Sequence, residues 1–544
     1  MLLPRPRHAE FAGRRVRPAD RRSATDDGLP GQGYRITVTE DGGVTIDAAD
    51  PAGQRYAELT LDQLTEPDGT VPVGQITDWP DFPVRAVMLD ISRSKVPTMA
   101  TLLDLVDQLA GWKINQLQLY MEHTFAYTGH EEVWADASPI TPDEMAQLAE
   151  RCRSHHIELL PNQNTLGHME RWLRHERYRP LAVSPEGFRF GDVTVRPMTL
   201  DPAHPGSLAL ARDLLGQLLD ACPGTRVHVG LDEPFELPPD RMPDYGRYIG
   251  ALRAAPELAG RQMLMWADIA IGHPELLAVV PDGVTMCVWG YDAGFPFAER
   301  MGAVAAAGLP QWVCPGTSSW NSIVGRWTNA RTNVLEAADA GRDFGAAGFL
   351  ITDWGDNGHL QYLPFSWPGF AYGAAVSWCR ETNHDVDTEV GAAVGPAIVD
   401  LADAFLDVAA KTANSFILTA LLYDPAVSLS DGRLARLTAA DLDRVEARLD
   451  RVQADASAVG DELVQAELTN AIRLVRLLCA DARLRMAGAD RGSLAPVADD
   501  IAAVHRELWL ARNRPGGLSF SAGILTNLAA AYRGEPLRRR ATFV

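Results

Sequence analysis

Residues 226–236 read Arg-Val-His-Val-Gly-Leu-Asp-Glu-Pro-Phe-Glu, a short apolar run that ends in two adjacent carboxylates, Asp232 and Glu233. Burying two acids at a strand end is costly unless they are paired, hydrogen-bonded or partly protonated. Neighbouring carboxylates push their pKa values apart, which leaves one ionised and the other able to hold a proton. That combination suits general acid catalysis on a poor leaving group. An Asp-Glu pair also occurs in solvated turns, but the preceding Val-His-Val-Gly argues against a surface turn here.

Such a pair needs a scaffold that delivers further groups to it. Short apolar runs recur at residues 84–91, 117–121, 157–160, 227–230, 263–266, 285–289, 311–314 and 348–352. Helical periods stand between them, among others at 99–111, 142–155, 207–221 and 247–255. Near-continuous apolar strands alternating with helices indicate a parallel sheet covered on both faces. Eight such units predict an α/β fold of the (β/α)8 TIM barrel type over residues 84–385. A doubly wound open sheet is the alternative, but no Gly-rich dinucleotide fingerprint follows the first run. A small α/β domain is expected over residues 26–80, because alternating residues 34–39, the Gly42-Gly43 turn and residues 44–47 read as a hairpin. Residues 1–25, rich in Arg and Pro, are expected to be loosely ordered. Residues 386–544 carry apolar positions at three-to-four spacing and read as a helical C-terminal domain.

In barrel enzymes the chemistry sits at the C-terminal ends of the strands. The eight runs lead in turn to Asp90 and Arg93, Glu122-His123, Asn162 to His168, Asp232-Glu233, Trp266 and Asp268, Trp289 to Asp292, Trp320-Asn321, and Trp354 with Asp356. Singly, each has a plain structural explanation: a Trp at a strand end packs, a His fills a core position, Arg93 pairs with Asp90. Together they put four tryptophans, carboxylates, an arginine and a histidine on one rim. Aromatic walls with a few polar groups describe a carbohydrate pocket. No group there has clear metal-ligand spacing, so no metal and no cofactor is expected, and there is no Gly-x-Ser-x-Gly elbow of a serine hydrolase.

The 71 acidic residues outnumber the 50 basic ones for a formal charge of −21, a surface that repels nucleic acid and anionic membranes, although it also serves solubility alone. Six dispersed cysteines form no C-x-x-C pair. The opening residues lack an apolar signal region and no run is long enough for a membrane span, so a cytoplasmic location is expected. The C-terminal helices could serve a homodimer or simply buttress the barrel.

At the motif level the chain resembles a family 20 glycoside hydrolase, a β-N-acetylhexosaminidase. His228-Val-Gly-Leu-Asp232-Glu233 resembles the family's His-x-Gly-Gly-Asp-Glu signature, and residues 84–93 resemble its first barrel strand. Lys113-Ile-Asn-Gln-Leu-Gln-Leu resembles its second strand, and Leu160-Pro-Asn-Gln-Asn-Thr-Leu-Gly-His168 resembles its Pro-Glu-Phe-Asp-Thr-Pro-Gly-His segment. Asp353-Trp354-Gly-Asp356 with Trp367-Pro368 resembles its closing Trp-Gly-Glu and Trp-Pro. The resemblance implies an exo-acting enzyme that removes terminal N-acetylglucosamine or N-acetylgalactosamine from an amino-sugar-containing glycan by substrate-assisted, retaining catalysis. It implies that Glu233 is the acid and base and that Asp232 orients the acetamido group. His168 with Glu122 would tune Glu233; Arg93 and Asp356 would hold hydroxyls; Trp266, Trp289 and Trp354 would wall the pocket. Trp320 or Asn321 stands in the stretch of the family's acetamido-binding Tyr. The chain departs from the pattern at Leu231 (Gly in the family), Asn162 and Asn164 (Glu and Asp), Asp356 (Glu) and Glu122-His123 (an Asp pair). A different amino sugar under the same mechanism, and a non-catalytic sugar-binding protein, are the competing readings.

Overall fold

The computed structural model describes residues 1–537 apart from Ser94, Gly191, Asp192, Asp431, Arg433, Ser457 and Ala458. Its first unit is a five-stranded sheet of β1 (His8–Val16), β2 (Asp20–Thr25), β3 (Tyr34–Val38), β4 (Gly43–Ala48) and β5 (Val71–Asp78), in the order β1-β5-β3-β4-β2. Alternation along β3 and β4 turns Tyr34, Ile36, Val44 and Ile46 onto the helix Pro51–Leu64, whose Tyr56, Ala57 and Leu61 complete a small core. Pro51 opens that helix, and the Asp50 side chain accepts from Gly53 N, which satisfies one of its free amides.

The opening segment departs from expectation. Residues 8–25 are not loose but form both edges of this sheet, β1 antiparallel to β5 and β2 parallel to β4. Nearly every residue of the two strands is solvent-exposed. Charge and a bulge between Phe11 and Arg15 are devices that edge strands use against further pairing, so the arginines marked an edge rather than disorder.

The second unit is a closed parallel barrel of β6 (Val84–Asp90), β7 (Gln116–Met121), β8 (Glu158–Gln163), β11 (Arg226–His228), β12 (Gln262–Trp266), β13 (Val284–Trp289), β14 (Gln311–Cys314) and β15 (Gly348–Asp353). A small hairpin, β9 (Phe188–Phe190) and β10 (Val193–Val195), interrupts the stretch between β8 and β11. Closure excludes the open-sheet alternative. Strand alternation explains the continuous apolar runs. In β6, Val84, Ala86 and Met88 fill the lumen with Leu160, Leu264, Cys287 and Trp312, while Val87 and Leu89 pack outward against the helices. One sector of the lumen is polar: Asn162 Nδ2 donates to Gln118 Oε1 at 2.9 Å, Gln118 to Gln116 at 2.9 Å, and Gln116 to Glu158 at 2.8 Å. Asn162 therefore fills the barrel and takes no place at its mouth.

The small domain is joined to the barrel through Asp78, which accepts from Tyr34 Oη at 2.6 Å and Trp378 Nε1 at 2.9 Å and lies 3.4 Å from Lys113 Nζ. The C-terminal helices Ala439–Ala456, Glu462–Met486, Ala495–Arg512 and Leu518–Tyr532 share a core of their own. They clamp to the barrel through Arg514, which reaches Pro139 O at 2.7 Å and Glu144 at 2.9 Å, and through Arg512 O, which accepts from Thr98 N at 2.9 Å and Thr101 Oγ1 at 2.8 Å. Among the described residues, no helix is long and apolar enough to cross a membrane.

Candidate active site

Strand β11 is only three residues long, and the chain then folds over the barrel mouth in a conformation few residues accept. Gly230, Leu231 and Glu233 have φ of +73°, +73° and +44°. Left-handed backbone costs a branched or long residue about 1 kcal/mol or more, so it persists only where its surroundings fix it. Here they do. Leu231 N donates to Asn164 Oδ1 at 3.3 Å, Leu231 O accepts from Tyr245 Oη at 2.8 Å, and the Leu231 side chain is fully buried in the outer core. A Cβ at Gly230 would run into the Asn164 amide, so that position requires glycine for space as well as for φ. The turn sends Leu231 outward and the two acids inward.

The surroundings of the two carboxylates differ. Asp232 is buried and accepts from Asn164 Nδ2 at 2.7 Å, with His168 Nε2 at 3.2 Å. Burial favours its neutral form, but the His168 ring, Arg93 and the Asn164 amide outweigh burial and hold Asp232 below the usual carboxylate range. Glu233 is about a third exposed; its carboxyl lies 3.4 Å from His168 Nε2 and borders three adjoining clefts. An ionised, fixed Asp232 thus stands next to a Glu233 that can meet substrate and water.

His168 faces both acids, and the pull of Asp232 and Glu233 overcomes burial to raise its pKa to about 10. The relay to Glu122 is not direct. His168 Nδ1 is 3.9 Å from Glu122 but 3.2 Å from Arg93 Nη2, and Arg93 Nη1 lies 3.1 Å from Glu122. Arg93 therefore stands between them as the bridging cation. Glu122 accepts from Tyr120 Oη at 3.0 Å, and burial raises its pKa against the opposing pull of Arg93 and His168.

Arg93, His168, Asp232, Glu233, Trp266, Trp289, Trp354 and Asp356 all border one cavity of about 270 Å³. That volume is of the order needed for a single sugar ring. Trp266 and Trp354 lie 6.0 Å apart at its floor, and Trp289 stacks on Tyr291 at 5.1 Å and 18°. Burial, with Asp90 and Glu233 nearby and Arg93 opposing, raises the Asp356 pKa to about 6.

Two residues expected at the sugar are elsewhere. Trp320 is fully buried and packs edge-on beneath Tyr291 at 5.1 Å, so it supports the wall without forming it. Asn321 does not border the cavity: its backbone oxygen accepts from Phe416 N at 3.1 Å and Ser415 Oγ at 2.9 Å, and its Oδ1 accepts from Asn357 Nδ2 at 2.9 Å. Strand order predicts which loop reaches the mouth but not which side of that loop faces in.

Two residues of the cavity wall, Tyr291 and Asn414, and one beside it, Asp268, were given no role at the sugar, although Asp268 and Tyr291 lie in strand-end segments already placed on the rim. Tyr291 takes the cavity position, its hydroxyl accepting from Trp354 Nε1 at 2.8 Å. It lies two residues past Trp289, so strand alternation could have found it. Asp268 accepts from Glu233 N at 3.3 Å and Trp289 Nε1 at 3.4 Å, and burial with the charges of Asp232 and Glu233 raises its pKa to about 7. Asn414 borders the cavity from the C-terminal region, where nothing in its local sequence signals it. His168, Asp232 and Glu233 each bring one possible metal-ligand atom within 4.8 Å of the others. His168 Nε2 faces both carboxylates there, at 3.2 Å from Asp232 and 3.4 Å from Glu233, contacts that its raised pKa reflects.

Comparison with known proteins agrees with this geometry. Residues 5–79 match the family description "Glycosyl hydrolase family 20, domain 2", and residues 82–244 match "Glycosyl hydrolase family 20, catalytic domain". A "Beta-hexosaminidase" of Akkermansia muciniphila is 29% identical over 236 residues, 38% of this chain and 46% of that protein. Human "Hexosaminidase D" is 26% identical over 239 residues, 43% of this chain and 44% of that protein. The chain thus spans less than half the length of these curated relatives. The fold is that of the solved "GH20 beta-N-acetylhexosaminidase from Streptomyces coelicolor A3(2)", with a TM-score of 0.57 at 19% identity over 73% of this chain and 96% of that one.

Proposed function

We propose that the protein, whose residues 5–79 and 82–244 match two domains of glycosyl hydrolase family 20, is an exo-acting β-N-acetylhexosaminidase working by substrate-assisted, retaining catalysis. The observation that carries the reading is the split environment of the acid pair: a buried, amide-bonded, ionised Asp232 beside an accessible Glu233. In the proposed reaction the substrate's acetamido oxygen attacks C1 as the glycosidic C1–O bond breaks. Glu233 gives its proton to the departing oxygen, and the acetamido carbon and nitrogen become an oxazolinium ion. Asp232 orients the acetamido N–H and stabilises the positive charge that develops there. Water then adds to C1, Glu233 takes its proton, and the acetamide re-forms with the anomeric configuration retained. Holding the internal nucleophile in an attack geometry is worth several orders of magnitude in rate.

In this reading Arg93, Asp356 and Trp354 hold the ring, and Trp266, Trp289 and Tyr291 wall its acetamido side, all of them bordering the same cavity. The six cysteines are buried and unpaired, which supports a reducing, cytoplasmic setting. The test is Glu233→Gln assayed on aryl β-N-acetylglucosaminide and galactosaminide. Loss of at least about a hundredfold in kcat is expected, and a variant as active as the parent would remove the assignment.

A further inference from the structure

The C-terminal region returns to the barrel mouth in a tight turn closed by a bridge between Thr412 and Ser415, with Asn414 at φ +49°. The turn is clamped from two barrel loops. After β13, both carboxylate oxygens of Asp292 accept from Asn414 N, at 3.1 and 3.0 Å, and Asp292 also pairs with Arg326 at 2.8 Å. After β14, Asn321 O holds Ser415 and Phe416. Arg326 is almost wholly buried, so the clamp is part of the packed structure.

Asn414 borders the cavity of Arg93, Asp232, Trp289 and Asp356, yet is absent from the outer cleft lined by Arg171, Met198 and Phe235. Of the three clefts that Glu233 borders, Asn414 lines only the one that also holds Asp232 and the tryptophans. Its Oδ1 is 3.4 Å from Arg326 Nη2, at the weak limit of a hydrogen bond, and its Nδ2 has no partner among the described residues. In the barrel order, β13 and β14 lie across from β7 and β8, which carry Glu122 and His168. Asn321, which holds the turn, also accepts from Asn357 next to Asp356, so Asn414 enters the cavity between the acetamido wall of Trp289 and Tyr291 and the hydroxyl-holding Asp356; with C1 at Glu233 and C2 at Asp232, the hydroxyls on that side are those of the C4–C6 edge.

We infer that Asn414, delivered by the C-terminal region, is a specificity-determining residue that hydrogen-bonds a hydroxyl on the C4–C6 edge of the terminal sugar. The inference rests on the proposed function. The plainer account is that asparagine is there because it tolerates left-handed backbone. Glycine tolerates that backbone better still, so Asn414→Gly keeps the turn and removes only the amide.

The experiment compares wild type, Asn414→Gly and Asn414→Asp on aryl β-N-acetylglucosaminide, its 4-epimer the galactosaminide, and its 6-deoxy analogue, with thermal melts alongside. The expected result is unchanged melting, KM raised roughly three- to tenfold by Asn414→Gly with kcat nearly constant, and a smaller penalty on whichever analogue lacks or inverts the hydroxyl read by the amide. Asn414→Asp keeps the turn and the acceptor but loses the donor, and it covers the case in which the glycine variant melts early. Equal KM values in all three proteins on all three substrates would overturn the role of Asn414 alone. A wild type inactive on both the glucosaminide and the galactosaminide would overturn the proposed function, and this inference with it.

Discussion

The Asn164 amide donates to Asp232 at 2.7 Å while its oxygen accepts from Leu231 N, so one side chain fixes both the acid and the backbone turn that presents it. A neutral donor at this point supports an ionised Asp232. A carboxyl in its place can keep the contact only by sharing a proton, as like charges at this range disfavour double ionisation. Asn164→Asp should therefore move the acid limb of the kcat/KM profile to higher pH and lower the plateau about tenfold. A limb that stays in place would show that Asn164 serves the turn alone.

Leu231 should invert an ordinary ranking. Alanine normally exceeds glycine in stability, but at φ +73° alanine keeps the left-handed cost and also loses the buried side chain. Leu231→Gly loses the side chain and relieves the backbone. Denaturant unfolding should find both variants destabilised by about 2–5 kcal/mol, with glycine the more stable by about 1 kcal/mol.

Asp268 predicts a pH-dependent gain. An unfolded Asp titrates near ~3.9, and the folded value is raised to about 7 by burial and the adjacent acids. The fold favours the protonated form, so the group's contribution is full below its unfolded value and is lost as pH rises through 7. Above that, ionised Asp268 opposes folding. Asp268→Asn should thus raise stability on the order of 1–2 kcal/mol at pH 8 and give no gain near pH 4. Melting curves across that range check the sign.

The two tryptophans after β13 and β14 should separate binding from folding. Trp289 is partly exposed at the cavity and stacked on Tyr291, so Trp289→Ala should raise KM about three- to tenfold with a modest stability cost. Trp320 is fully buried below them, and Trp320→Ala should cost about 3–5 kcal/mol of stability, seen first in thermal melts. Equal effects on KM would contradict the placement of Trp320 behind the wall.

The barrel was legible because a parallel strand buried on both faces leaves an unbroken apolar run, which is what residues 84–91 and 348–352 display. The acid pair was legible because nothing but chemistry or a strong network explains Asp232-Glu233 after Val-His-Val-Gly. Trp320 and Asn321 were placed at the sugar because a loop's position in the chain does not report its twist: the same loop turns Trp320 under Tyr291 and Asn321 toward the C-terminal turn. The edge strands β1 and β2 were missed because exposure on both faces erases the alternation that marks a strand. Asn414 was invisible for a different reason, since its role depends on contacts made across the whole chain.

That clamp between Asn321 and the 412–416 turn also orders events in time. A ribosome releases the acid pair and the tryptophan floor well before the turn that closes the cavity beside them. The emerging barrel holds its reactive groups in an unfinished recess, and a turn made only after all eight strands walls it in. The cavity is therefore completed only after the barrel itself has been made, and a change in the segment that carries the 412–416 turn would reach the pocket without touching a single barrel residue.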